Sequence, residues 1–82
     1  MNKVYMIGKI VYISEVKFDY YNKCRIYIEV SLYDFENNFT FKCIVCDRLV
    51  KYVLDFCQNA FVLINACILS DLCCIVEYIC KI

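Results

Sequence analysis

The sequence predicts an all-β domain, five strands curled into a Greek-key barrel with one helix between strands three and four. Three features carry that reading. Apolar and polar residues alternate along successive runs, as in half-buried strands. The period changes to helical spacing only once, after Cys46. The only glycine, Gly8, falls inside the first run, where it marks a bulge or a close backbone approach. In a small barrel, that is where the first strand bends to pair on both sides.

The first strand runs from about Lys3 to Ile13, with Val4, Met6, Gly8 and Ile10 on one face and Lys3, Tyr5, Ile7 and Lys9 on the other. A polar segment, Ser14 to Lys23, follows and ends in a turn-like Asn22-Lys23. The second strand turns Ile26, Ile28, Val30 and Leu32 inward and Arg25, Tyr27, Glu29, Ser31 and Tyr33 outward. Asp34 to Asn38 are turn formers and make a tight hairpin. In the third strand Phe39, Phe41, Cys43 and Val45 alternate against Thr40, Lys42, Ile44 and Cys46.

Asp47 is a suitable N-cap for a helix whose apolar stripe is Leu49, Val50, Val53, Leu54 and Cys57. Gln58-Asn59 ends it, asparagine being a common left-handed terminator. Strands over Phe61 to Leu69 and Leu72 to Lys81 close the chain, joined by a turn at Ser70-Asp71. Three strands, a helix and two strands is the layout of the OB-fold, a barrel plugged at one end by its helix. All 82 residues belong to this single domain, 1–82.

Composition narrows the function. Hydrophobic residues make up 63% of the chain and aromatics 17%, so apolar surface is expected to remain outside so small a core, which favours a homo-dimer or tetramer. Nine Lys/Arg balance nine Asp/Glu, leaving local patches rather than net charge to attract a polyanion. The N-terminus lacks the apolar block of a signal peptide, and no run is long enough to span a bilayer. A cytoplasmic location without membrane association is expected. Histidine is absent and no glycine-rich phosphate loop exists, so neither catalytic residues nor an enzyme is expected.

Eight cysteines occupy positions where Val or Ala would suit a strand, and read as reduced core thiols. Cys43 and Cys46 have CxxC spacing, but residues three apart on a strand face opposite ways. Cys73 and Cys74 point apart for the same reason. No metal and no other cofactor is expected.

Four segments, in order, resemble bacterial single-stranded DNA-binding proteins. Asn2-Lys3-Val4-Tyr5-Met6-Ile7-Gly8-Lys9-Ile10 resembles the family's opening strand, and Glu15-Val16-Lys17-Phe18 its Pro-Glu-(Leu/Val)-Arg-Tyr segment. Phe41-Lys42-Cys43-Ile44-Val45-Cys46-Asp47-Arg48-Leu49 resembles the third strand running into Gly-Lys-Leu. Val62-Leu63-Ile64-Asn65-Ala66 resembles the fourth strand, usually Val-x-Val-Glu-Gly. A compact relative of the primosomal PriB type is an equally natural comparison.

The resemblance implies non-catalytic binding of single-stranded DNA, or RNA, by cations on phosphates and rings on bases. It also implies a subunit interface on the first strand, at Lys3, Tyr5 and Ile7. The chain departs from the family at telling positions. The ring usually found before Gly-Lys-Leu is Cys46, a second ring six residues earlier is Thr40, and the motif's glycine is Asp47. The loops between strands two and three and between four and five are reduced to turns. The expected contact set is Lys9, Arg25, Tyr27, Tyr33, Phe35, Thr40, Lys42 and Arg48, with the tyrosines and Phe35 replacing the family's rings. The departures also admit an OB-fold module whose partner is a replication or conjugation protein, with little nucleic-acid binding.

Overall fold

The computed structural model describes residues 2–82. Strand β1 spans Lys3–Ile13, a short β2 Lys17–Phe18, β3 Ile26–Asp34 and β4 Phe39–Cys46; helix α1 spans Arg48–Phe56, β5 Phe61–Ser70 and β6 Cys73–Lys81. The sheet order is β1-β5-β6-β4-β3-β2, and an additional β1–β3 pairing closes β1, β5, β6, β4 and β3 into a barrel. β4 and β6 run parallel; every other pair is antiparallel. The expected OB-fold is therefore present. The two-residue β2, which pairs with Tyr27 and Ile26, lies inside the segment read as a polar connection.

Closure depends on how β1 divides its edges. Residues Lys3 to Lys9 pair with β5, whereas Lys9 to Ile13 pair with β3, so Lys9 faces both Phe61 and Tyr33. Gly8 sits just before this switch. A Cβ there would overlap the Tyr33 carbonyl oxygen and come within 2.9 Å of Leu32 Cγ. Its φ is not positive, so the glycine serves close approach rather than an unusual dihedral. The bulge lies further on, between Ile10 and Tyr12. Ser14 fastens the end of β1: its Oγ accepts the Glu29 N–H at 2.8 Å, and its own N–H donates to the Glu29 carbonyl at 2.9 Å.

The inward residues of all five barrel strands meet Val50, Val53 and Cys57 of the helical stopper in one core. Leu49 and Leu54 pack at its margin. The Tyr52 hydroxyl accepts the Lys81 N–H at 3.0 Å, latching the helix to the end of β6. Asn59, with φ 56°, ends the helical region in the left-handed conformation expected of it. The β5–β6 turn is displaced by one residue from expectation, falling at Asp71-Leu72 with Leu72 at φ 60°.

Asp47 does not cap the helix as expected. It has φ 53° and ψ −123°, and its side chain makes no capping hydrogen bond. Its carboxylate reaches across instead, where Oδ1 accepts the backbone N–H of Arg25 at 3.0 Å and of Ile26 at 3.4 Å. With φ positive and ψ strongly negative this backbone lies outside the left-handed α region, a conformation that glycine adopts with far less strain than a residue bearing a Cβ.

The thiols fall on the sides the strand period dictates. Cys43 is in the core and Cys46 half-buried outside it; Cys74 is in the core and Cys73 half-buried. Cys43 and Cys74 are partners in the parallel ladder, with their sulfurs 3.7 Å apart. All eight cysteines are free.

Candidate nucleic-acid interface

The outward faces of β3 and β4 form the candidate surface, and their register fixes which residues meet. Tyr33 lies between Lys9 on one side and Thr40 on the other. Ser31 lies opposite Lys42, Glu29 opposite Ile44, and Tyr27 opposite Cys46. The expected residues thus fall into two groups joined by Lys42. Lys9, Tyr33, Phe35 and Thr40 occupy one end; Arg25, Tyr27 and Arg48 occupy the other.

Each end carries packed rings. Tyr33 and Phe35 meet edge to face at 4.7 Å between centroids, and Phe35 continues to Phe61 at 5.7 Å. The Tyr33 hydroxyl is hydrogen-bonded to the Asn38 side chain. Hydrogen bonds brace that turn: Asp34 Oδ1 accepts the N–H groups of Glu36 at 2.9 Å and Asn37 at 3.2 Å. The Asn37 side-chain amide donates to Asp34 Oδ2 at 2.8 Å. These hydrogen bonds, that of the Asn37 side chain above all, hold the Asp34 carboxyl below its ordinary value. At the other end Tyr20 packs edge to face on Tyr27 at 5.0 Å and on Tyr21 at 4.9 Å.

Phe61 and Tyr20 were not among the expected contact residues. Phe61 begins β5, and its pairing with Lys9 brings it to this face. Tyr20, in the polar segment before β3, places its ring against Tyr27 on the sheet face. There it shares a recess with Ile44 and Cys73, and Ile44 is accordingly buried although it points outward.

Charge is distributed unevenly. Among the described residues the ion pairs are Lys3–Glu77 at 2.9 Å, Lys17–Glu29 at 3.2 Å and Lys51–Asp55 at 2.8 Å. Lys9, Arg25, Lys42 and Arg48, the four cations expected to meet phosphate, are in none of them. Among the described residues none of the four has an acidic partner within ion-pair distance. Asp47 is an exception to the basic character, but its carboxylate is turned onto the Arg25 and Ile26 amides.

Cys46 and Thr40, the positions at which the resemblance noted above places rings, have Tyr27 and Tyr33 as their cross-strand partners.

The barrel has a solved counterpart. The chain is similar in structure to the mitochondrial single-stranded DNA-binding protein Rim1 of S. cerevisiae, with a TM-score of 0.74 and 17% sequence identity, over 99% of this chain and 93% of that one. No family model and no curated protein matches the chain by sequence. At that identity the likeness establishes the fold, and the function must be argued from the surface.

The expected interface residues Lys3, Tyr5 and Ile7 lie on the outward face of the first half of β1. Tyr5 is 73% exposed and Ile7 59%. Asn65, the register partner of Tyr5, buries its side-chain oxygen without a hydrogen-bond partner among the described residues. No helix is long and apolar enough to cross a membrane.

Proposed function

We propose that the protein binds single-stranded DNA without catalysis, holding the backbone with Lys9, Arg25, Lys42 and Arg48 and stacking bases on Tyr27, Tyr33 and Phe35. The observation that carries this reading is the placement of Tyr27 opposite Cys46 and of Tyr33 opposite Thr40 on the outer face. It keeps a flat ring on each rung while the four cations around them remain unpaired. A groove tolerant of sequence needs that combination, because phosphate attraction supplies affinity and any base presents a π-face. The likeness to a barrel whose name records single-strand binding supports the same reading.

The protein would act as a homo-oligomer joined through Lys3, Tyr5 and Ile7. From Lys3 to Gly8, β1 pairs only with β5, which leaves its other edge open for a second copy.

The test is a fluorescence anisotropy titration with labelled oligothymidylate at low salt, comparing the unaltered protein with a Tyr27→Ala/Lys42→Ala variant. Saturable binding that the double substitution weakens, with the oligomeric state unchanged, supports the reading. Absence of binding to the unaltered protein overturns it.

A further inference from the structure

We propose that the recess beneath the Asp19–Lys23 turn is a base-reading pocket, selective for a nucleobase that carries both an exocyclic amine and a ring carbonyl. Cytosine and guanine qualify; thymine lacks the amine and adenine the carbonyl. The inference rests on the single-strand reading and adds a site to it. The recess has a volume of about 230 Å³ and is bounded by Tyr20, Tyr21, Tyr27, Glu29 and Lys42.

The turn holds an unusual shape. Asp19, Tyr21 and Asn22 have φ of 59°, 47° and 60°, left-handed values that cost a side-chain-bearing residue free energy, most of all the bulky tyrosine. Hydrogen bonds enforce it: Asp19 N–H to the Arg25 carbonyl at 2.8 Å, Lys23 N–H to the Tyr20 carbonyl at 2.7 Å, and Asn22 N–H to Asp19 Oδ1 at 3.1 Å. The consequence is a Tyr21 ring that is 80% exposed and supported by Tyr20, which in turn rests on Tyr27. A ring pinned outward over a polar recess is suited to stacking on a base.

The floor supplies the selectivity. Glu29 and Lys42 are diagonal neighbours across the β3–β4 ladder and do not pair with each other. Glu29 Oε1 is held by Lys17 at 3.2 Å, which leaves Oε2 to accept, while the Lys42 ammonium, in no ion pair and carrying three donors, can reach a base carbonyl as well as the phosphate assigned to it above. A carboxylate repels a phosphate track, yet it accepts hydrogen bonds from a base amine, and the adjacent ammonium donates to a carbonyl.

The experiment compares oligodeoxycytidylate with oligodeoxythymidylate of equal length by fluorescence anisotropy. The unaltered protein should favour the cytosine strand by about tenfold, the scale of one good polar contact to a base. Glu29→Gln keeps the hydrogen bond to Lys17 and the fold, and should bring the ratio to about one. Tyr21→Ala should weaken binding to both strands by about tenfold through lost stacking. Equal binding of the two strands by the unaltered protein, a preference that survives Glu29→Gln, or an affinity unmoved by Tyr21→Ala overturns the pocket. Absence of binding to either strand overturns the single-strand reading instead.

Discussion

The Asp47 carboxylate accepts the backbone N–H of Arg25 at 3.0 Å, tying the entrance of the helix to the start of β3 twenty-two residues earlier in the chain. This residue combines a gain with a cost. It satisfies amides at a strand end, and it occupies a backbone position with φ 53° where a glycine would be less strained.

Replacement of Asp47 therefore separates the two effects. Asp47→Gly relieves the dihedral while losing the hydrogen bonds, so stability should change little. Asp47→Ala keeps the strain that the aspartate already bears and loses the hydrogen bonds, so it should cost about 1–2 kcal/mol, the scale of a hydrogen bond to a charged acceptor. Urea unfolding of the two variants checks the difference. Both remove a negative charge beside Arg25 and Arg48, so both should tighten oligonucleotide binding at low salt.

Gly8→Ala tests barrel closure. The added methyl meets the Tyr33 carbonyl oxygen, which is backbone and cannot swing aside, together with Leu32 Cγ. Overpacking of this kind costs about 1–3 kcal/mol. Amide hydrogen exchange should show lost protection first at the β1–β3 seam, Lys9 to Ile13 with Val30 to Tyr33, while β5–β6 stays protected. Uniform loss of protection would mean that the seam is not where the strain enters.

Most of the barrel was legible because strand alternation and the single switch to helical period are local signals. Gly8, the Asp34–Asn38 turn and Asn59 each announced a feature from their own chemistry. What could not be read depends on register between distant segments. Tyr20 overlies Ile44 and Phe61 joins Lys9 only because strands far apart in the chain lie side by side. The sequence offered no sign that Asp47 would turn its carboxylate away from the helix, since a helix start and a strand-end anchor call for the same residue type. Strand alternation alone puts Lys9, Lys42, Tyr27 and Tyr33 on outward positions, but the division of the expected contact residues into two ring clusters follows from the ladder.

The half-buried thiol of Cys46 makes stability sensitive to alkali. Burial, a hydrogen bond with Cys24 and the nearby Asp47 charge push it from 9.0 up to about 12. The hydrogen bond to Cys74, together with burial, raises Cys43 in the core as well. A raised folded-state value means that the folded protein holds its proton more tightly than the unfolded chain. The contribution is complete below 9.0 and is lost progressively as pH rises from there toward about 12. Unfolding midpoints in urea, measured under reducing conditions, should fall across this window, and Cys46→Ala should flatten the fall.

Salt dependence distinguishes phosphate contacts from stacking. Each cation that meets a phosphate in a single strand contributes about −0.7 to the slope of log affinity against log salt. Lys9, Arg25, Lys42 and Arg48 acting together should give about −3 per protomer on this scale. Lys9→Ala and Lys42→Ala should each make the slope shallower by about 0.7, whereas Tyr33→Ala should lower affinity and leave the slope unchanged. Lys51→Ala is the control, because that lysine is paired with Asp55 at 2.8 Å on the helix and is not one of the four unpaired cations. A slope that responds to Lys51 as much as to Lys42 would show diffuse attraction rather than a strand laid along β3 and β4.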